Sequence, residues 1–136
     1  MGTTFKAKNL SEGNELLSSK AAYVLTELKK NILNANGNQI DCRPDETSVY
    51  LVDKDNMGTI LRCDDHIRIA SISAQNGSFN LLDGGVVPDD CTDFVKCNIE
   101  NEKVKSVEFV LRLRAPDNAA GAGSSGVYYG VVVPRE

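Results

Sequence analysis

The chain has 136 residues, 41% hydrophobic and 25% charged, with a formal net charge of −4. That length suits one domain, 1–136, with a real core, and the apolar fraction argues against disorder. A mildly acidic chain has no broad attraction for nucleic acid or anionic lipid, and no apolar run of about 18 residues is present to cross a membrane as a helix.

Residues 11–36 read as an amphipathic helix. Leu17, Ala21, Val24, Leu28, Ile32 and Ala35 recur at spacings of three and four, so they share one face. Ser11 and Asn14 are both acceptable N-caps. Lys29 and Lys30 suit the negative end of the helix dipole. Gly37 can take the left-handed conformation that stops the helix.

After Gly37 the period changes from 3.6 to 2. The stretch TSVYLVD puts Val49 and Leu51 on one face, and TILRCD follows across the turn-rich KDNMG, which predicts a hairpin. HIRIASIS alternates Ile67, Ile69 and Ser71 against Arg68, Ala70 and Ile72. SFNLLDG is a further short strand after the turn at QNG. Residues 83–98 read as irregular, with two glycines, a proline and four aspartates. VKSVEFVLRLR, 104–114, alternates with Val107, Phe109, Leu111 and Leu113 on one face. A last strand spans 127–133. The link between them, 115–126, is built from small residues and reads as a flexible surface loop. One helix followed by alternating strands over about 47–133 predicts an α+β fold, the helix packed on an antiparallel sheet.

The cysteines are Cys42, Cys63, Cys91 and Cys97. No CxxC pair is present, so a zinc ribbon or thioredoxin-type site is disfavoured. An even count favours two disulfides, with reduced structural cysteines as the alternative. Of the three possible pairings we prefer the local one, Cys42–Cys63 and Cys91–Cys97, because Cys42 and Cys63 flank a hairpin. Disulfides imply an oxidising compartment, yet no signal peptide opens the chain, so we expect an N-terminal segment to have been cut away.

Catalytic constellations are thin. His66 is the only histidine; beside Asp64 and Asp65 it is a candidate base or ligand, but strand neighbours point to opposite faces and no second histidine completes a transition-metal site. Asp53, Asp55, Gly58 and Asp64 fall at the first, third, sixth and twelfth places of a calcium loop. Met57 spoils a ligand place, and a turn wants the same residue types. Asp83, Asp89, Asp90 and Asp93 surround the third cysteine and are candidate calcium ligands, weighed against a plain solvated loop. No P-loop, dinucleotide fingerprint or nucleophile elbow is present. We expect no enzyme activity, no cofactor and no nucleic-acid partner.

Three stretches, taken in order, resemble the type IV pilin and pseudopilin family, in particular its minor subunits. NELLSSKAAYVLTELKKNILNA is similar to the C-terminal half of the long pilin helix. VKSVEFVLRLRAPD is similar to a late strand of such proteins, and YYGVVVPRE to their terminal strand, although Glu136 stands where Asn is common. The resemblance implies a pilin-like head domain and a role in assembly, as a structural subunit of a type IV pilus or type II secretion pseudopilus that initiates the filament or sits at its tip. It implies partners that are other pilin or pseudopilin subunits. It also implies an apolar half-helix before residue 1 that anchors the protein in the inner membrane, location at the bacterial surface or periplasm, and an isolated chain that is largely monomeric. The start of the 11–36 helix and the loops at 83–98 and 115–126 are then the expected contact surfaces. The alternative is an exported ligand-binding or adhesion module with a disulfide-bonded α+β fold; a small enzyme is a third.

Overall fold

A computed structural model of the protein describes residues 12–35, 39–42, 47–52, 57–73, 77–82, 85–115 and 125–134. The helix α1 spans Glu12–Leu33. Its stripe of Leu17, Ala21, Val24, Leu28 and Ile32 is fully buried, and Ala35 continues it past the last turn. That turn tightens as it ends: the Asn34 N–H reaches the carbonyls of Lys30 and Asn31, both at 3.2 Å, and the Ala35 N–H donates to Ile32 at 3.1 Å. These bonds satisfy carbonyls that an abrupt end would orphan. Asn14 lies inside the helix rather than at its cap. Ser11 and Gly37 lie outside the described residues.

The strands are β1 (Ile40–Cys42), β2 (Ser48–Val52), β3 (Gly58–Asp64), β4 (Arg68–Ser73), β5 (Gly77–Asn80), β6 (Val87–Asp90), β7 (Val95–Glu100), β8 (Lys103–Arg114) and β9 (Ser125–Val132). The first five form an antiparallel meander in chain order. Within it, β2 and β3 make the hairpin that the alternation predicts, Ser48 opposite Arg62 and Leu51 opposite Thr59. The second sheet is built around β8. Its C-terminal end pairs with β6 (Val87 opposite Arg114). Its N-terminal half pairs with β7 on the same side (Cys97 opposite Val107). Its other side pairs with β9 (Val110 opposite Tyr129). Helix α1 lies on β8 and β9, while the meander meets the second sheet at β6 and β7. The buried side chains of the helix and both sheets form one cluster, with Phe94 and Phe109 tilted against each other at 5.6 Å in the second sheet.

This architecture corrects the expected fold. The described residues are mostly strand, arranged as two antiparallel sheets, and not as the pilin-like α+β layout of one sheet under a helix. The helix covers only part of the second sheet. The error lies in residues 83–98, which carry β6 and β7. The β6 sequence, VPDD, has a proline and two aspartates and so reads as a loop. It becomes a strand because β8, with 12 residues, is long enough to pair two short strands end to end. Ile67 is also displaced from the expected strand: it is exposed in the turn between β3 and β4. Within the proposed flexible loop, residues 116–124 lie outside the described residues, while Ala115 is buried and Ser125 and Gly126 belong to β9.

The disulfides are Cys42–Cys97 and Cys63–Cys91, with Cα–Cα separations of 6.0 and 5.7 Å. The expected local pairing, Cys42–Cys63 and Cys91–Cys97, is therefore corrected as well. Cys42 and Cys63 lie on β1 and β3, with β2 between them. Two strand spacings are roughly 9.5 Å, beyond the ~7 Å limit for a bridge. Asp90 and Cys97 sit opposite Arg112 and Val107 along β8, which separates them by roughly 17 Å at ~3.4 Å per residue. Cys91, one residue on from Asp90, stays out of reach. Both real bridges instead tie the meander to the second sheet.

Candidate functional site

Among the described residues the catalytic and metal candidates do not converge. His66 sits in the turn between β3 and β4 with φ of 62°. Its N–H donates to the Pro88 carbonyl at 3.0 Å, and its side chain is exposed. The Asp65 carboxylate accepts the Cys91 N–H at 2.7 Å. Together with the Cys63–Cys91 bridge, these bonds clip the tip of the hairpin to the end of β6. Asp64 lies between two guanidinium groups, with Arg62 and Arg68 each at 3.2 Å.

Three of the four proposed calcium carboxylates face separate cations. Asp89 is 3.7 Å from Arg114, Asp90 is 3.6 Å from Arg112, and Asp93 is 4.0 Å from Lys96. Asp90 accepts the Thr92 N–H at 2.9 Å. That bond, then the Thr92 hydroxyl and the charges of Arg112 and His66, hold its carboxyl below the ordinary value. Asp83 lies outside the described residues, as do Asp53 and Asp55; Gly58 and Asp64 are the first and last residues of β3. Among the described residues no three acidic, histidine or cysteine side chains gather as a metal site. No helix among them is long and apolar enough to cross a membrane.

What the fold does build is an outward-facing sheet surface. On the inner side of β9, Gly126, Tyr128, Gly130 and Val132 stand beside Leu113, Leu111, Phe109 and Val107 of β8. Gly130 lies against α1, where a Cβ would sit 2.8 Å from Leu25 Cδ2, while Gly126 makes room for the Tyr128 ring. Tyr128 is half-buried under the helix. Burial pushes its phenol up from the ordinary value, partly offset by a hydrogen bond with Ser18. Alternation then forces the next residues outward. Val127, Tyr129, Val131 and Val133 are 48%, 74%, 64% and 66% exposed.

Beside this apolar row, β8 presents Arg114, Arg112, Val110 and Glu108 opposite Ser125, Val127, Tyr129 and Val131. Farther across, Asn98 Nδ2 donates to Ser106 Oγ at 2.7 Å and to Glu108 Oε2 at 2.8 Å. The polar half of the face is thus internally paired, and the apolar half is left to solvent. The expected contact surfaces omitted this row. Its sequence signal was the spacing of Gly126 and Gly130 around Tyr128, which marks the covered side of β9 and hence the open one. Compared with known proteins, the chain matches no family model, no curated protein and no solved structure.

Proposed function

We propose that this chain is a structural subunit of an exported assembly, of the type IV pilus or type II secretion pseudopilus kind. It acts through contacts with other subunits at the bacterial surface or in the periplasm. The observation that carries the reading is the pair of disulfides, both of which lock one sheet to the other. Such bridges belong to an oxidising compartment, and they brace the two sheets against each other. The first helix fits the same role. It buries one stripe and exposes Ala22, Tyr23, Thr26, Lys29 and Lys30 on the other, leaving a face for neighbouring helices. The filament reading rests on the helix and late-strand sequences and on the bridges, not on the fold. Anchoring by an apolar segment before residue 1, and a minor or tip position, are the finer parts of the proposal.

The test is cell fractionation with an antibody to the chain. We expect the protein in the inner-membrane fraction before assembly and in sheared surface or periplasmic filaments afterwards. Bismaleimide cross-links from Tyr23→Cys or Lys29→Cys should then reach another subunit. Recovery only as a free, unanchored protein that cross-links to nothing overturns the filament reading in favour of an exported ligand-binding module.

A further inference from the structure

The two disulfides stand in different surroundings. Cys63 and Cys91 are 6% and 3% exposed. Cys63 lies on β3, which has a strand on each side, and its N–H donates to the Thr47 carbonyl at 2.9 Å. Cys91 is held through both backbone groups: its N–H donates to the Asp65 carboxylate at 2.7 Å, and its carbonyl accepts the Phe94 N–H at 3.0 Å. Cys42 and Cys97 are only half-buried, at the margin of the core. Along β7, exposure at every second residue climbs from Val95 at 0% through Cys97 to Ile99 at 65%. Cys42 ends β1, a three-residue strand at the rim of the meander, paired among the described residues with β2 alone. We infer that Cys42–Cys97 is a redox-operated latch: a dithiol reductant opens it in the folded protein and frees β1, while Cys63–Cys91 stays closed.

Thiol–disulfide exchange sets the order. The reductant's thiolate attacks one sulfur of a bridge, and the other sulfur leaves as a thiolate that takes a proton from water. The reductant's second thiol, having lost its proton, then attacks the mixed disulfide. The reductant ends as a disulfide and the protein as two thiols. Attack needs access, and departure is faster the lower the pKa of the leaving thiol. Cys63–Cys91 fails on both counts. Its residues are shut in the core, and a thiolate at Cys91 would form in apolar surroundings, with the Asp65 carboxylate against its own N–H. Cys42–Cys97, at the margin, leaves its charge close to water.

What the latch holds is β1. Ile40 is buried, Asp41 is exposed and Cys42 is half-buried. Without the bridge, one isoleucine side chain and the pairing with β2 must offset the ordering of the whole strand. The edge strand is then the least stable unit of its sheet and opens first. The rest stays folded, because Cys63–Cys91 continues to join the two sheets. The latch does not depend on filament assembly, and an unanchored exported module with the same bridges would carry it too.

Timed reduction of the native full chain with dithiothreitol tests this, the thiols being trapped with a maleimide and located by tryptic mapping. We expect Cys42 and Cys97 to label together, roughly tenfold or more ahead of Cys63 and Cys91, and oxidised glutathione to restore the bridge. In the singly reduced protein the hydrogen-bonded amides of β1 should lose their protection from exchange, while those of β3, β4 and β8 stay protected. Cys42→Ala/Cys97→Ala should show the same pattern without reductant. Equal rates for the two bridges, reduction of Cys63–Cys91 first, or opening of either bridge only on global unfolding overturns the proposal. So does a singly reduced protein whose β1 amides stay protected.

Discussion

Removing one bridge at a time gives the sharpest check on how the two sheets are joined. The Cys42–Cys97 bridge closes 55 residues and Cys63–Cys91 closes 28. In the chain-entropy model, alone, these contribute about 4.2 and 3.6 kcal/mol. The shorter loop lies inside the longer one. With Cys63–Cys91 intact, the outer bridge therefore restrains only 42–63 and 91–97, and its share falls to about 3.6 kcal/mol. Each single removal should cost about 3.5 kcal/mol, and both together about 7 kcal/mol, a large part of a typical total stability. At roughly 3–5 °C per kcal/mol for this size, each Cys→Ala pair should lower Tm by about 10–18 °C. Alanine is preferred at Cys63 and Cys91 because both are buried, where a serine hydroxyl would add its own desolvation. The assay is calorimetry of Cys42→Ala/Cys97→Ala and Cys63→Ala/Cys91→Ala, with non-reducing tryptic mapping of the parent. Arg43 precedes proline and resists cleavage. The map should therefore join 31–54 to 97–103, and 63–68 to 69–96. Joining 31–54 to 63–68 would refute the connectivity, and a Tm loss under about 3 °C per bridge would refute the energetic reasoning.

Burial raises the Tyr128 phenol above its ordinary value of 10.0, so the folded state holds that proton longer than the unfolded one. Its contribution is complete below pH 10 and is lost as pH rises from there through the folded value. Absorbance titration at 295 nm should show a late-titrating phenol that Tyr128→Phe removes; a titration curve unchanged by Tyr128→Phe at its alkaline end would contradict the packing. Asp90 has the opposite sign: its lowered carboxyl supports the fold above about pH 3.8 and loses that support as pH falls through the folded value. Asp90→Asn should flatten the acid limb of a stability–pH curve, and an unchanged limb would show the Thr92 bond to be irrelevant. A Cβ at Gly126 would stand 2.6 Å from the Tyr128 hydroxyl and 2.9 Å from its ring, so Gly126→Ala should cost about 1–3 kcal/mol in urea unfolding. At Gly130 the obstacle is the mobile end of Leu25, and Gly130→Ala should be within about 1 kcal/mol of neutral; equal costs would show that the ring is not the constraint.

Local periodicity made several elements legible. The stripe from Leu17 to Ile32 reads as a helix face and is buried as one, because side chains three and four apart must share a side. The alternation of Val107, Phe109, Leu111 and Leu113 reads as a strand with one covered face, and β8 is that strand. The late position of two glycines around Tyr128 held the orientation of β9, although the spacing speaks only once a helix is known to lie there.

Partnership was decided elsewhere. Periodicity says which face of an element is apolar, not what covers it, so the division into two sheets was not readable. VPDD became a strand only because β8 offered it a free edge. Cysteines near in sequence were parted by β2 or by the length of β8, while cysteines 55 and 28 residues apart met across the sheets. The chain's own order of side chains settled each element's inward face. Long-range strand pairing, which depends on geometry summed over the whole fold, settled which faces were left outside, and with them the apolar row from Val127 to Val133.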